Sequence, residues 1–184
     1  MTGPRGRVIW LTGLSGAGKS TIAEALVARL NAARPGTVLI DGDAVRALFG
    51  NDLGFHEAAR HAQIGRIQRL ALWLSGQGLS VVVAALYAHP DLLTWNRTHL
   101  SGYFEVYVDA PLALLRSRDG KGLYAGAASG TVANVVGVDI PWHAPTRPDM
   151  VVDATRLEAP ADTARHIVER LAVMAPDDRE ERRA

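Results

Sequence analysis

The stretch Gly13-Leu14-Ser15-Gly16-Ala17-Gly18-Lys19-Ser20 constrains this chain more than any other feature. It satisfies G-x-x-x-x-G-K-[ST] and lies between an apolar run of strand length and a run of helical period, the context in which such a segment cradles phosphate. Its glycines let backbone N–H groups turn inward around a polyphosphate, and the helix N-terminus adds a favourable dipole. In such a cradle Lys19 reaches the β- and γ-phosphates and Ser20 offers its hydroxyl to Mg²⁺. A plain Gly-rich turn that opens a helix needs neither the lysine nor the hydroxyl after it. Gly13, Ser15, Gly16, Ala17, Gly18, Lys19, Ser20 and Thr21 are therefore the expected contacts of ATP, with Ser20 also at the metal.

Strand-length apolar runs at residues 8–11, 37–40, 80–85, 104–108 and 150–152 alternate with helical stretches, the pattern of a parallel sheet covered by helices. The expected fold is α/β, a P-loop three-layer architecture with a five-stranded parallel sheet and a lid segment. Ile22, Leu26 and Leu30 repeat every four residues, Ile64, Ile67, Ala71 and Leu74 form a second stripe, and Ile167, Val168 and Leu171 share one face of residues 161–173. Trp10, Trp73 and Trp95 are expected to be structural, Trp73 in the core. Residues 118–148 lack a clear period and exceed an ordinary loop, so they are expected to form a mobile lid. Beyond Pro176 the pattern gives way to alternating charges, which predicts one domain over residues 1–175 and a solvated tail over 176–184.

With 184 residues and 48% hydrophobic content, the chain can build one full core. A net charge of +1 gives no global attraction for nucleic acid or an anionic membrane, so neither is expected as a partner. The absence of cysteine excludes disulfides, thiolate metal sites and cysteine nucleophiles. No signal-type segment or membrane-length apolar run is visible, and a cytoplasmic protein is expected.

The second strand ends in Asp41-Gly42-Asp43-Ala44-Val45-Arg46, at the carboxyl edge where open α/β sheets bind ligands. Asp41 can accept the proton of an attacking hydroxyl and help hold Mg²⁺, and Arg46 can fix an acceptor anion. The plainer alternative makes Asp41 a turn residue and Asp43 a helix N-cap, and for Asp43 both readings stay open.

The cradle, Asp41-Gly42-Asp43 with Arg46, Leu53-Gly54-Phe55, Arg60, Arg66, Arg118-Asp119 and Lys121-Gly122-Leu123-Tyr124 stand in the order typical of adenylylsulfate (APS) kinases, which the chain resembles from residue 8 to 153. Val138-Asp139-Ile140-Pro141 resembles that family's Gly-Ile-Asp-Asp-Pro-Tyr stretch. The resemblance implies Mg-ATP as donor, phosphorylation of the ribose 3′-hydroxyl of APS, a lid around Lys121, and a possible homodimer. It further implies Asp41 as catalytic and metal-associated acid and Lys19 and Lys121 as catalytic lysines. Arg118 is implied on the adenine side, with Asp43, Arg46, Phe55, Arg60 and Leu123 around the acceptor.

Departures from the family cluster on the acceptor side. Tyr87-Ala88-His89-Pro90 stands for Ser-Pro-Tyr-Arg, Gln63-Ile64-Gly65-Arg66 for Asn-Ile-Arg-Arg, and Val135-Val136 for Phe-Thr. Each removes a cation or a stacking ring, so a nucleoside or nucleotide without the sulfate is the expected acceptor, with genuine APS kinase activity as the alternative. A non-catalytic ATP-dependent switch and a sugar kinase are further readings, disfavoured because the catalytic set is complete and the lid is APS-kinase-like. Tyr87 reads either as an acceptor contact or as a cap on the third strand. His89 reads as a turn residue before a ligand, Trp142 as ligand cover or packing, and Arg66 and Arg69 as a solvated face or as cleft residues.

Overall fold

The computed structural model describes residues 6–120, 122–156 and 158–173. Five parallel strands, β1 (Val8–Thr12), β2 (Thr37–Asp41), β3 (Ser80–Ala84), β4 (Phe104–Asp109) and β5 (Met150–Asp153), form one sheet in the order β2-β3-β1-β4-β5. Every expected strand is present to within one residue. β1 is buried at all five positions, which is why it reads as a continuous apolar run with no polar alternation.

Among the described residues seven helices connect and cover the strands: α1 (Lys19–Ala33), α2 (Gly42–Leu48), α3 (Glu57–Gly76), α4 (Pro90–His99), α5 (Leu112–Arg118), α6 (Leu123–Ala128) and α7 (Pro160–Val173). The crossover from β1 out to β2 and the return from β2 to β3 run in opposite directions. Right-handed crossovers of opposite direction put α1 and α3 on opposite faces, so β3 is covered on both and Val81, Val82 and Val83 are wholly buried. α7 returns to pack on α1. Because β1 lies between β3 and β4, which are reached on opposite sides, the ligand crevice opens at its carboxyl end, where residues 13–18 stand.

Helix phase explains one failed expectation. Ile64, Ile67 and Ala71 are buried along α3 with Leu74 half-buried beside them, but Trp73 is 63% exposed. At about 100° per residue, a position two beyond Ala71 faces away from the sheet, so its apolar character does not place it in the core. Trp10 is fully buried, and Trp95 packs on the core and stacks on His99 at 4.3 Å.

The segment expected to be an aperiodic lid contains α6, which at six residues is too short to show a period. Residues 134–140 form a closed turn in which the Asp139 carboxylate accepts from the N–H groups of Asn134 and Val135, and Val136 bridges Ile140. Lys121 and the tail at 176–184 lie outside the described residues. Among the described residues no helix is long and apolar enough to cross a membrane.

The two faces of α3 give a paired test. Ile67→Ala, at a site with no exposure, is expected to cost about 2–5 kcal/mol, whereas Trp73→Ala stays within about 0.5 kcal/mol of the parent. Urea midpoints of the two variants check the assignment.

Candidate active site

The cradle begins where β1 ends. A Cβ on Gly13 would sit 2.4 Å from the Val108 carbonyl oxygen, so only glycine lets the chain turn this close to β4. Gly18, in the left-handed region at φ 96°, then serves as N-cap of α1 without a side-chain cap, and the helix has no acid in its first turn. Its N-terminal N–H groups are left to a ligand, and an anion suits them best. Lys19 folds back so that Nζ donates to the Leu14 carbonyl at 2.8 Å.

Asp41 joins the cradle to the next strand. Its Oδ1 accepts from the N–H groups of Asp43 (2.9 Å) and Ala44 (3.2 Å) as N-cap of α2, while Oδ2 accepts the Ser20 hydroxyl at 2.7 Å. The cap is thus Asp41, and Asp43 lies in the first turn of α2 instead. Ser20 and Asp41 supply the hard oxygens that Mg²⁺ prefers, and among the described residues no cluster of three or more His, Cys, Asp or Glu could hold a metal. That donor set fits an ion held by one or two protein oxygens together with phosphate and water.

Three cavities meet around this point. A cleft of about 350 Å³ is lined by Ser15, Gly16, Gly18, Lys19, Ser20, Thr21, Asp41 and Asp43. A larger one of about 640 Å³ shares Gly18 and Thr21 with it and runs past Ala17 and Arg118 to β5 and the start of α7. On the opposite side a small pocket of about 80 Å³ gathers Asp43, Arg46, Phe55, Arg60, Gln63 and Tyr87. Gly42 and Asp43 line both the cradle cleft and this pocket, so the two adjoin.

Five of the six expected acceptor residues therefore meet. Leu123 does not: it lines a separate cavity of about 170 Å³ with Ser15, Gly16, Arg118 and Tyr124, because α6 lies against the cradle. Arg46 is buried and its Nη1 donates to the carbonyls of Leu53 (2.7 Å) and Gly54 (3.0 Å). Arg60 donates from Nε to Phe55 O (2.8 Å) and from Nη2 to Asn134 O (2.6 Å). Both guanidinium carbons lie over the Phe55 ring, at 4.6 and 5.6 Å from its centroid, and Phe55 as a residue is 53% exposed. Burial, and then the charge of Arg46, hold Arg60 below its usual range.

Tyr87 is buried and donates its hydroxyl to Glu57 Oε1 at 2.8 Å. Burial, followed by this bond, pushes it up to about 12, so it is a donor at neutral pH. His89 is a half-buried N-cap of α4, 6.4 Å from Tyr87 and 5.2 Å from His143 between ring centroids. Trp142 packs beside Tyr107 at 6.1 Å. Arg66 turns away from the cleft to pair with Asp52 at 2.6 Å, over Phe49.

Other residues at the site escaped sequence reasoning. Gln63 is 4% exposed; its Nε2 donates to Gly42 O at 3.2 Å, and its buried Oε1 has no partner. Asn134, at φ 64°, supplies the carbonyl that Arg60 binds. Tyr124 donates its hydroxyl to Ser15 O at 2.9 Å. Of these, only Gln63 carried a signal, as a buried-phase polar residue one position before Ile64.

A cradle for polyphosphate that opens directly onto a second, cation-lined pocket is the arrangement of a P-loop kinase, and this chain is one. The family model for adenylylsulphate kinase matches residues 5–153. An adenylyl-sulfate kinase of Deinococcus deserti is 40% identical over 170 residues, covering 92% of this chain and 93% of that protein. One of Paraburkholderia xenovorans is 39% identical over 158 residues, 85% and 88% of the two chains. The structure of Mycobacterium tuberculosis APS kinase in complex with AMPPNP and APS superposes with a TM-score of 0.86 at 32% identity, covering 92% of this chain and 99% of that one. The chain belongs to the adenylylsulphate kinase family, whose members are ATP-dependent phosphotransferases acting on a hydroxyl acceptor.

Asp41→Ala removes the cap of α2 and is expected to cost about 1 kcal/mol, while Asp41→Asn, itself a good N-cap, loses only a few tenths. Chemical denaturation of the two variants separates capping from charge.

Proposed function

We propose that this chain transfers the γ-phosphate of ATP to the 3′-hydroxyl of adenylylsulfate. The observation that carries this reading is the pocket beside the cradle, where Phe55 offers a ring face with two guanidiniums over it. A purine ring with an attached anion matches that combination of stacking surface and positive charge. Relatives named adenylyl-sulfate kinase, aligned over most of both chains, support the same acceptor.

Mg-ATP supplies the phosphoryl group together with the cation that neutralises its developing charge. The N–H groups of residues 13–18 and the Lys19 ammonium orient the phosphates; Ser20 and Asp41 hold the metal side. Asp41, fixed as the cap of α2, accepts the proton as the acceptor oxygen attacks phosphorus and ADP departs. Arg118 lines the wall of the larger cleft, on the adenine side. Lys121 completes the set as the lid lysine, a role carried by the family resemblance alone. With ATP as the donor, the cytoplasm is the compartment of action. A homodimer is part of the proposal; a hexameric APS kinase of Thiobacillus denitrificans is 25% identical with a TM-score of 0.67, covering 92% of this chain and 29% of that one.

The expectation of a sulfate-free acceptor rested on three replaced residues. Val135 is only 2% exposed and belongs to the core, Pro90 opens α4, and a Cβ on Gly65 would meet nothing within 4 Å. Arg46 and Arg60 meanwhile keep two cations at Phe55, so those replacements do not strip the pocket of charge. The non-catalytic switch falls with membership in a kinase family.

Lys19→Ala is expected to abolish transfer with the fold retained, because this lysine acts on phosphate charge and not in a core. Asp41→Asn should lower kcat by about 10² or more, the usual cost of removing a positioned base. A side-by-side kcat/KM for APS and for nucleosides and nucleotides with free ribose hydroxyls tests the acceptor. APS is expected to lead, and a nucleoside that outperforms it would return the sulfate-free reading.

A further inference from the structure

The Ser15–Gly16 peptide is a wall between two cavities: both residues line the cradle cleft on one side and the 170 Å³ cavity beneath α6 on the other. In a trans peptide the carbonyl and the following N–H point in opposite directions. The Ser15 carbonyl accepts from Tyr124 on the α6 side, so the Gly16 N–H is directed away from α6, toward the cleft. Gly16 has φ 80° and no side chain, and the nearest atom to a Cβ built there is Leu115 Cδ2 at 3.7 Å, so little else resists rotation of this peptide. Tyr124 is 5% exposed, and burial raises its hydroxyl above the ordinary phenol range, which keeps the proton on it at neutral pH.

Tyr124 is itself held. The Ala125 N–H donates to Asp119 Oδ2 at 2.8 Å and the Gly122 N–H to Asp119 O at 3.0 Å, which fixes the start of α6 to the end of α5. Arg118, the last residue of α5, lines the larger cleft. One short unit therefore reaches from that cleft to the cradle backbone.

We propose that Tyr124 is a positioning residue for the donor phosphates: its hydroxyl, by holding the Ser15 carbonyl, aims the Gly16 N–H at the polyphosphate and couples the seating of α6 to donor binding. The proposal rests on the assignment of residues 13–20 to the donor phosphates. Without the hydroxyl the Ser15–Gly16 peptide samples the flipped orientation, which presents a carbonyl to the phosphates in place of a donor.

Tyr124→Phe keeps the ring and its packing and removes only the hydroxyl. Titration calorimetry of the full chain with a non-hydrolysable ATP analogue and Mg²⁺, and separately with adenosine, reads the effect. Affinity for the analogue should fall about fivefold, the worth of one hydrogen bond, while affinity for adenosine stays within about twofold and the acceptor KM is unmoved. Equal losses for both ligands would mean that the hydroxyl only supports the local structure, and unchanged affinity for both would mean that it does nothing for the phosphates; either result overturns the proposal. Lys19→Ala is measured alongside. If that variant binds the analogue as tightly as the parent, the donor-site assignment itself fails and takes this proposal with it, whereas a weakened Lys19→Ala beside an unchanged Tyr124→Phe sinks the proposal alone.

Discussion

The carboxylate of Asp41 holds three parts of the chain at one point. One oxygen accepts the first N–H groups of α2 and the other takes the Ser20 hydroxyl, so the end of β2, the start of α2 and the start of α1 are mutually fixed. A carboxylate is well suited to this because both of its oxygens accept hydrogen bonds. The same carboxylate that caps the helix lines the cradle cleft beside Lys19 and Ser20, so a residue needed for the fold stands where the phosphates are expected. Asp43, two residues further on in the first turn of α2, lines both cavities.

On the other side of α2 the arginines are arranged less as free hands than as braces. Arg46 holds the carbonyls of Leu53 and Gly54, and Arg60 holds those of Phe55 and Asn134. Together they shape the loop that presents Phe55 and join it to the turn at 134–140. Two guanidiniums this close repel, and after burial this repulsion is the second cause that lowers the proton affinity of Arg60. An anion placed between them would relieve that repulsion.

Much of this was legible in the sequence because the informative residues act locally. Doubly covered strands such as Val8–Thr12 leave an unbroken apolar run, and the Gly-Lys-Ser segment carries its meaning in its own backbone. The reading broke where meaning depended on phase or on distant partners. Trp73 was judged by polarity when its angular position decided the matter. Leu123 was assigned with the acceptor residues because the lid motif travels as a unit, yet α6 leans on the cradle. Asp41 and Asp43 are both good caps, and only the actual start of α2 distinguishes them. The bond from Tyr124 to Ser15 spans 109 positions and leaves no trace in local pattern.

The strand order has a bearing on how the molecule comes into being. β1 is made first but lies in the middle, with Val8 paired to Val81 and Ile9 to Phe104. The turn at Gly13 lies against the Val108 carbonyl, which belongs to β4. A ribosome must therefore deliver more than half of the chain before the nucleotide cradle has walls, and ATP can offer no help to the earlier intermediates. Closing those long loops before any contact rewards them makes assembly slow relative to a helical bundle of the same size. During that interval the apolar segment Val8–Thr12 waits without neighbours, a period of exposure in which chaperones have their best opportunity to act.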